Sequence, residues 1–155
     1  MKKRFYPLLV LLLAALMLTG CSKDAILRYY DQALQFAGDA ALTHGAGLTG
    51  KRTFGAQHYT GTYTADYRRA TKTEYLFGGT SLGSGQELTV TCALTCEAGT
   101  ARVFFRSGSD DPVTLLETDG TYSGALSVPA GSNYLGVTCD GFTGHLELRV
   151  TGAEL

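Results

Sequence analysis

The chain has 155 residues, with 13 Lys and Arg against 14 Asp and Glu and a formal net charge of −1. No basic patch stands out, which excludes the electrostatic footprint of a nucleic-acid binder. Twenty Gly, nine Tyr, no Trp and three Pro, together with abundant Thr, suit short β-strands joined by Gly-bearing turns.

Lys2, Lys3 and Arg4 give a positive start, and residues 8–18 are an uncharged run of Leu, Val, Ala and Met. As a helix that run spans about 16 Å, roughly half the hydrocarbon core of a bilayer at about 30 Å. It is too short to be a stable span and has the build of a secretory signal. The run closes on Leu18-Thr19-Gly20-Cys21, with Leu three residues before the Cys and small residues between them.

Residues 1–22 resemble the lipobox signal peptide of bacterial lipoproteins. The resemblance implies cleavage after Gly20, so that residues 1–20 are removed. It also implies a diacylglycerol thioether on Cys21, with an N-acyl chain such as palmitate as a further addition. One acyl chain holds a protein marginally, whereas two anchor it firmly. The implied location is the cell envelope, on the outer face of the cytoplasmic membrane. Ser22 supplies no retention signal of the Asp type, so the outer membrane is open as well. Thirteen basic residues less those at positions 2–4 leave ten against fourteen acidic, a mature charge of about −4. Attraction to anionic lipid therefore adds little to the tether.

Residues 24–42 read as a helix, because Leu27, Tyr30, Leu34, Ala37 and Ala41 recur at spacings of three and four. Asp24 is its candidate cap and Gly45 its stop. The helix either packs on the domain, acts as a spacer, or docks a partner membrane complex. Residues 43–55 are Gly-rich and without periodicity, a linker or an irregular entry to the next domain. Residues 21–55 are thus the anchored helix and linker, and residues 56–155 the folded domain.

From Gln57 onward the period becomes two. Tyr59, Gly61, Tyr63, Ala65 and Tyr67 alternate with Thr60, Thr62, Thr64 and Asp66. Tyr75-Leu76-Phe77 is a second apolar piece. Leu88, Val90, Cys92, Leu94 and Cys96 share one face of a strand, and Glu97-Ala98-Gly99-Thr100 reads as the turn that ends it. Val103 and Phe105 point inward on the return strand. A polar loop over 107–112 precedes a strand at 113–117. Tyr122, Gly124, Leu126 and Val128 alternate after the Asp119-Gly120 turn. Leu135, Val137 and Cys139 share a face, Asp140-Gly141 reads as another turn, and Leu146, Leu148 and Val150 point inward on the last strand.

Eight or nine short strands with one apolar face each predict an all-β domain. Two antiparallel sheets packed as a sandwich, in the manner of a jelly roll, are favoured over a closed barrel. The layout from Leu88 to Val150 resembles the small secreted β-sandwich modules of the bacterial pre-peptidase type, a likeness that carries over no functional residue.

No catalytic constellation emerges. Gly83-Ser84-Gly85 lacks the frame of a hydrolase elbow, Asp110 and Asp111 lack the spacing of a calcium loop, and scattered Glu residues define no acid pair. His44, His58 and His145 show no ligand spacing, so no metal and no cofactor beyond the lipid on Cys21 is expected. Cys92, Cys96 and Cys139 are disulfide candidates in an oxidising compartment. Cys92 and Cys96 lie about 13 Å apart on a straight strand and do not pair with each other unless the strand breaks; Cys139 is the partner available to either, and the alternative is three free thiols buried as small apolar residues. Tyr59, Tyr63, Tyr67 and Tyr75 are the candidate ligand-binding residues. On one strand face they form either a stacking platform or a core with hydroxyls reaching the rim. The expected function is a non-enzymatic, lipid-anchored module that binds a glycan, a wall polymer or a surface protein.

Overall fold

The computed structural model describes residues 41–81 and 85–152, all within the unit Ala33–Leu155. The signal segment, Cys21 and the expected helix over 24–42, apart from its last two positions, lie outside the described residues. Positions 41 and 42 are a turn and a bend.

Six strands follow: β1 (Lys51–Phe54), β2 (Gly61–Ser81), β3 (Gln86–Ser107), β4 (Val113–Glu117), β5 (Gly120–Val128) and β6 (Gly131–Gly152). Every pairing is antiparallel. The expected eight or nine short strands are instead three long ones flanked by three short ones. β2, β6 and β3 lie side by side; β3 and β6 run through what the sequence reads as turns, and β2 through the break between its two apolar pieces. The three interruptions are neighbours. Register shifts fall between Tyr67 and Lys72 on β2 and between Cys96 and Thr100 on β3, beside residues 139–144 of β6. Gly99 (φ +72) and Gly141 (φ +56) adopt the left-handed conformation there. A Cβ on Gly99 would lie 2.4 Å from the Gly141 backbone. The glycines and the Asp140-Gly141 pair that look like hairpin turns thus bend strands that continue.

This common line folds the sheet over on itself. The first layer has the order β1-β2-β6-β3-β5, read along Arg52, Tyr63, Leu148, Cys92 and Tyr122. The second has the order β2-β6-β3-β4, read along Glu74, Val137, Val103 and Leu116. Each bulge also resets the alternation. Leu88, Val90, Cys92 and Leu94 point inward before the bend in β3, and Ala101, Val103 and Phe105 after it. Inward residues of both layers form one core, with Tyr67 against Phe142 at the fold line (ring centroids 5.3 Å). Fully burying a large apolar side chain contributes about 1.5–3 kcal/mol. The architecture is an antiparallel β-sandwich, as the alternation predicts.

Residues 43–55, expected as a linker or irregular entry, belong to the sandwich. β1 pairs with β2, and Thr43 N donates to Tyr75 O at 2.9 Å. Leu42 is buried. These residues close the seam between the layers on the β2 side. Arg52 on β1 reaches across it to the carbonyl of Leu76 at 2.9 Å. Inside the same seam lies Glu74, fully buried. Its carboxylate accepts from Thr49 N (2.6 Å), Thr49 Oγ1 (2.8 Å), Tyr63 OH (2.8 Å) and Tyr67 OH (2.6 Å), and Lys72 Nζ lies 2.8 Å away. Burial alone would raise its pKa. The hydrogen bonds from Lys72, Tyr67, Thr49 and Tyr63 outweigh it and hold the carboxyl below its ordinary range.

Candidate functional site

The alternation that sends Tyr63, Leu148 and Cys92 inward sends their chain neighbours to the outer face of the first layer. There the strand order brings together residues far apart in sequence. One row is Thr62, Arg149, Thr91 and Ser123; the next is Thr64, Glu147, Ala93 and Thr121. The sheet curls across these four strands and leaves a groove of about 560 Å³ over both rows. Its lining is β-branched and hydroxylated, offering methyl groups and hydroxyl donors and acceptors together. Glu147 and Arg149 stand on β6 at its centre, two residues apart.

A third row, Asp66, His145 and Thr95, continues the same face toward the fold line. His145 Nδ1 lies 2.7 Å from Asp66 Oδ1, and Nε2 lies 3.5 Å from Glu147 Oε1. The Asp66 hydrogen bond raises the imidazole above its ordinary value against the opposing effect of burial, and Glu147 adds to the rise. The imidazole thereby links the carboxylates of Asp66 and Glu147. Among the described residues no group of three His, Cys, Asp or Glu side chains is arranged to hold a metal ion.

The tyrosines singled out in the sequence are elsewhere. Tyr63 and Tyr67 are core residues, about 1% exposed, and spend their hydroxyls on Glu74. Burial raises both pKa values, and the bond to Glu74 adds to the rise in each. Tyr59 is buried, donates to Gly79 O at 2.6 Å, and is pushed up to about 12 by burial. These three form no stacking platform: the apolar side of the alternation is the core. Tyr75 is half-buried on the outer face of the second layer, edge-on to Phe104 and Tyr134 at 5.8 and 5.7 Å between centroids. Rings at such angles do not share a plane. The three cysteines form no disulfide. Cys92 and Cys139 are buried, with pKa values raised by burial to about 11 and about 12, and Cys96 is half-buried. The groove was missed because its residues are the polar half of each alternating strand. The available signal was a Glu and an Arg facing outward on a strand rich in apolar partners.

No family model and no curated protein matches the chain. Solved structures similar to it include a family 29 carbohydrate-binding module, with 11% identity over 68% of this chain and 72% of that one, at a TM-score of 0.40. The C-terminal family 6 module of LamC, a marine laminarinase from Zobellia galactanivorans, has 13% identity over 67% and 89%, at 0.39. The pre-peptidase C-terminal domain of a collagenase from Bacillus anthracis has 17% identity over 66% and 85%, at 0.33. Likenesses this weak carry no argument, and the sandwich rests on the chain's own register and core.

Proposed function

We propose that this chain is a lipid-anchored protein of the cell envelope whose sandwich, without catalysis, binds a glycan or wall polymer in the groove of the first layer. The observation that carries the reading is the groove itself. Sugar rings present hydroxyls at close spacing around an apolar ring face. A floor of Thr methyls and hydroxyls around a central carboxylate and guanidinium matches both. Glu147 accepts from ring hydroxyls and Arg149 donates to them, each as a charge-assisted bond. The anchor is supported by the Leu18-Thr19-Gly20-Cys21 motif, and two acyl chains on Cys21 suffice for stable attachment.

The test is a binding screen of the full chain against soluble glycans and wall fragments, followed by calorimetry on any hit. Arg149→Ala and Glu147→Gln are expected to weaken binding at least about ten-fold, the loss of one charge-assisted hydrogen bond. Both residues are exposed, so the melting temperature should stay put. Binding that ignores both substitutions refutes the site, and no binding across the panel refutes the ligand class. Palmitate labelling lost in Cys21→Ser tests the anchor.

A further inference from the structure

The exposed sheet edges of this sandwich are not equally guarded. β1 is four residues long and carries Lys51 and Arg52. β4 is five residues long, follows Pro112, and pairs with a register shift at Val103 and Phe104. The second-layer half of β2 is covered where Thr43 bonds to Tyr75. Short length, charge, proline and irregular pairing are the devices that keep sheet edges from joining other strands. β5 has only one, Pro129 just past its end; it is longer than β1 and β4, and neither a charge nor a register shift falls within it. Its nine residues, Gly-Thr-Tyr-Ser-Gly-Ala-Leu-Ser-Val, are uncharged and pair with β3 without a shift from Val128 to Gly120. Among the described residues nothing pairs with its other side.

On the β2 side, residues 42–50 and Arg52 close the seam between the layers. On the opposite side, between β5 and β4, Tyr122, Leu126, Leu115 and Leu116 pack on the core but remain half-buried.

We infer that β5 pairs antiparallel with β5 of a second copy of this chain, about a two-fold axis at Gly124, and that the two grooves join across it. The strand is self-complementary in that register. Tyr122 meets Leu126 of the other copy on the inward side, extending the apolar seam. Ser123 meets Ala125 and Thr121 meets Ser127 on the outward side, and no charge opposes a like charge. Thr121 and Ser123 already line the groove. The pairing therefore joins two five-stranded layers into one and carries the hydroxylated floor from one copy into the next. A two-fold axis is the usual symmetry of such contacts. The inference stands on the edge and the seam and does not rest on the identity of the ligand.

Sedimentation of the full chain in density-matched detergent, over about a hundred-fold range of concentration, reads the association. Ser123 and Ala125 are exposed, so lysines there leave the fold intact, which thermal unfolding verifies. Three results together support the inference. The native chain dimerises with concentration. S123K/A125K, which sets lysines opposite one another, is a monomer. S123K/A125E, which sets each lysine opposite a glutamate of the other copy, regains the dimer and weakens with salt. A native chain that is monomeric throughout overturns the inference. So does a dimer that survives S123K/A125K, and loss of the dimer in both variants overturns the register.

Discussion

Glu74→Gln tests whether the buried carboxylate ties the segment at 42–50 to the core. The substitution keeps size and shape and removes one charge. Glu74 is fully buried and accepts from Thr49, Tyr63 and Tyr67 besides its contact with Lys72. Gln retains an acceptor for Thr49, but its amide nitrogen must face the two tyrosine hydroxyls, which can turn to accept. Each charge-assisted bond that becomes neutral costs about 1 kcal/mol. Removing one partner of a buried ion pair costs about 3–5 kcal/mol, but the Lys72 side chain is 33% exposed and water screens its share. Together these give a loss of about 2–4 kcal/mol at neutral pH.

Urea unfolding of both proteins across a pH series is the assay. The Glu74 carboxyl is held below its ordinary value in the folded chain, so on acidification the unfolded chain takes up the proton first. The stabilisation is complete above the unfolded pKa of about 4.3. It is lost as pH falls through the lower folded value. The difference between native chain and Glu74→Gln should therefore be constant near neutrality and shrink in acid, with every other carboxylate common to both proteins. A variant within about 0.5 kcal/mol of the native chain, or a difference that grows as pH falls, refutes the reasoning.

Two further outcomes follow from the thiols and the imidazole. Of Cys92, Cys96 and Cys139, only Cys96 is expected to react with a thiol reagent in the folded protein at pH 8, because burial raises Cys92 to about 11 and Cys139 to about 12. Reductant should leave the melting temperature unchanged, since the three are free; rapid labelling of all three, or a fall in melting temperature, contradicts this. His145 should titrate by NMR above its ordinary value of about 6.5 and move back toward it in Asp66→Asn, because the Asp66 hydrogen bond is the largest cause of the rise. An unmoved midpoint would place the cause elsewhere.

The all-β class and most inward residues are legible from alternation alone. Leu88 to Leu94, Val103, Leu135 to Cys139 and Leu146 to Val150 point into the core as their period of two requires. What the period does not carry is continuity. Gly99 and Asp140-Gly141 have the composition of hairpin turns, and a local reading cannot tell a strand that reverses from one that bends and continues. The difference lies in the neighbours: interruptions in β2, β3 and β6 fall side by side only after pairing. β1 was hidden for a related reason. A four-residue edge strand with two cations among glycines has a single apolar residue, Phe54, too few to set up an alternation, and its place depends on Arg52 and Thr49 reaching residues more than twenty positions away.

The site was harder to read than the core because alternation marks what is buried. Tyr63 and Tyr67 drew attention as aromatics, yet their spacing is that of inward residues, and Glu74 between the layers consumes their hydroxyls. Thr62, Thr64 and Thr91 were visible as the outward half of the same strands, with nothing local to set them apart from any solvated face. They become a groove because the last strand, β6, lies between β2 and β3. That order puts Glu147 and Arg149 in the middle of threonines from strands nearer the middle of the chain. Neutralising an outward charge there, as in Arg149→Ala or Glu147→Gln, rather than removing a tyrosine, is the change that distinguishes a binding face from an ordinary surface. The core carries the same side chains under either reading, and only the groove differs.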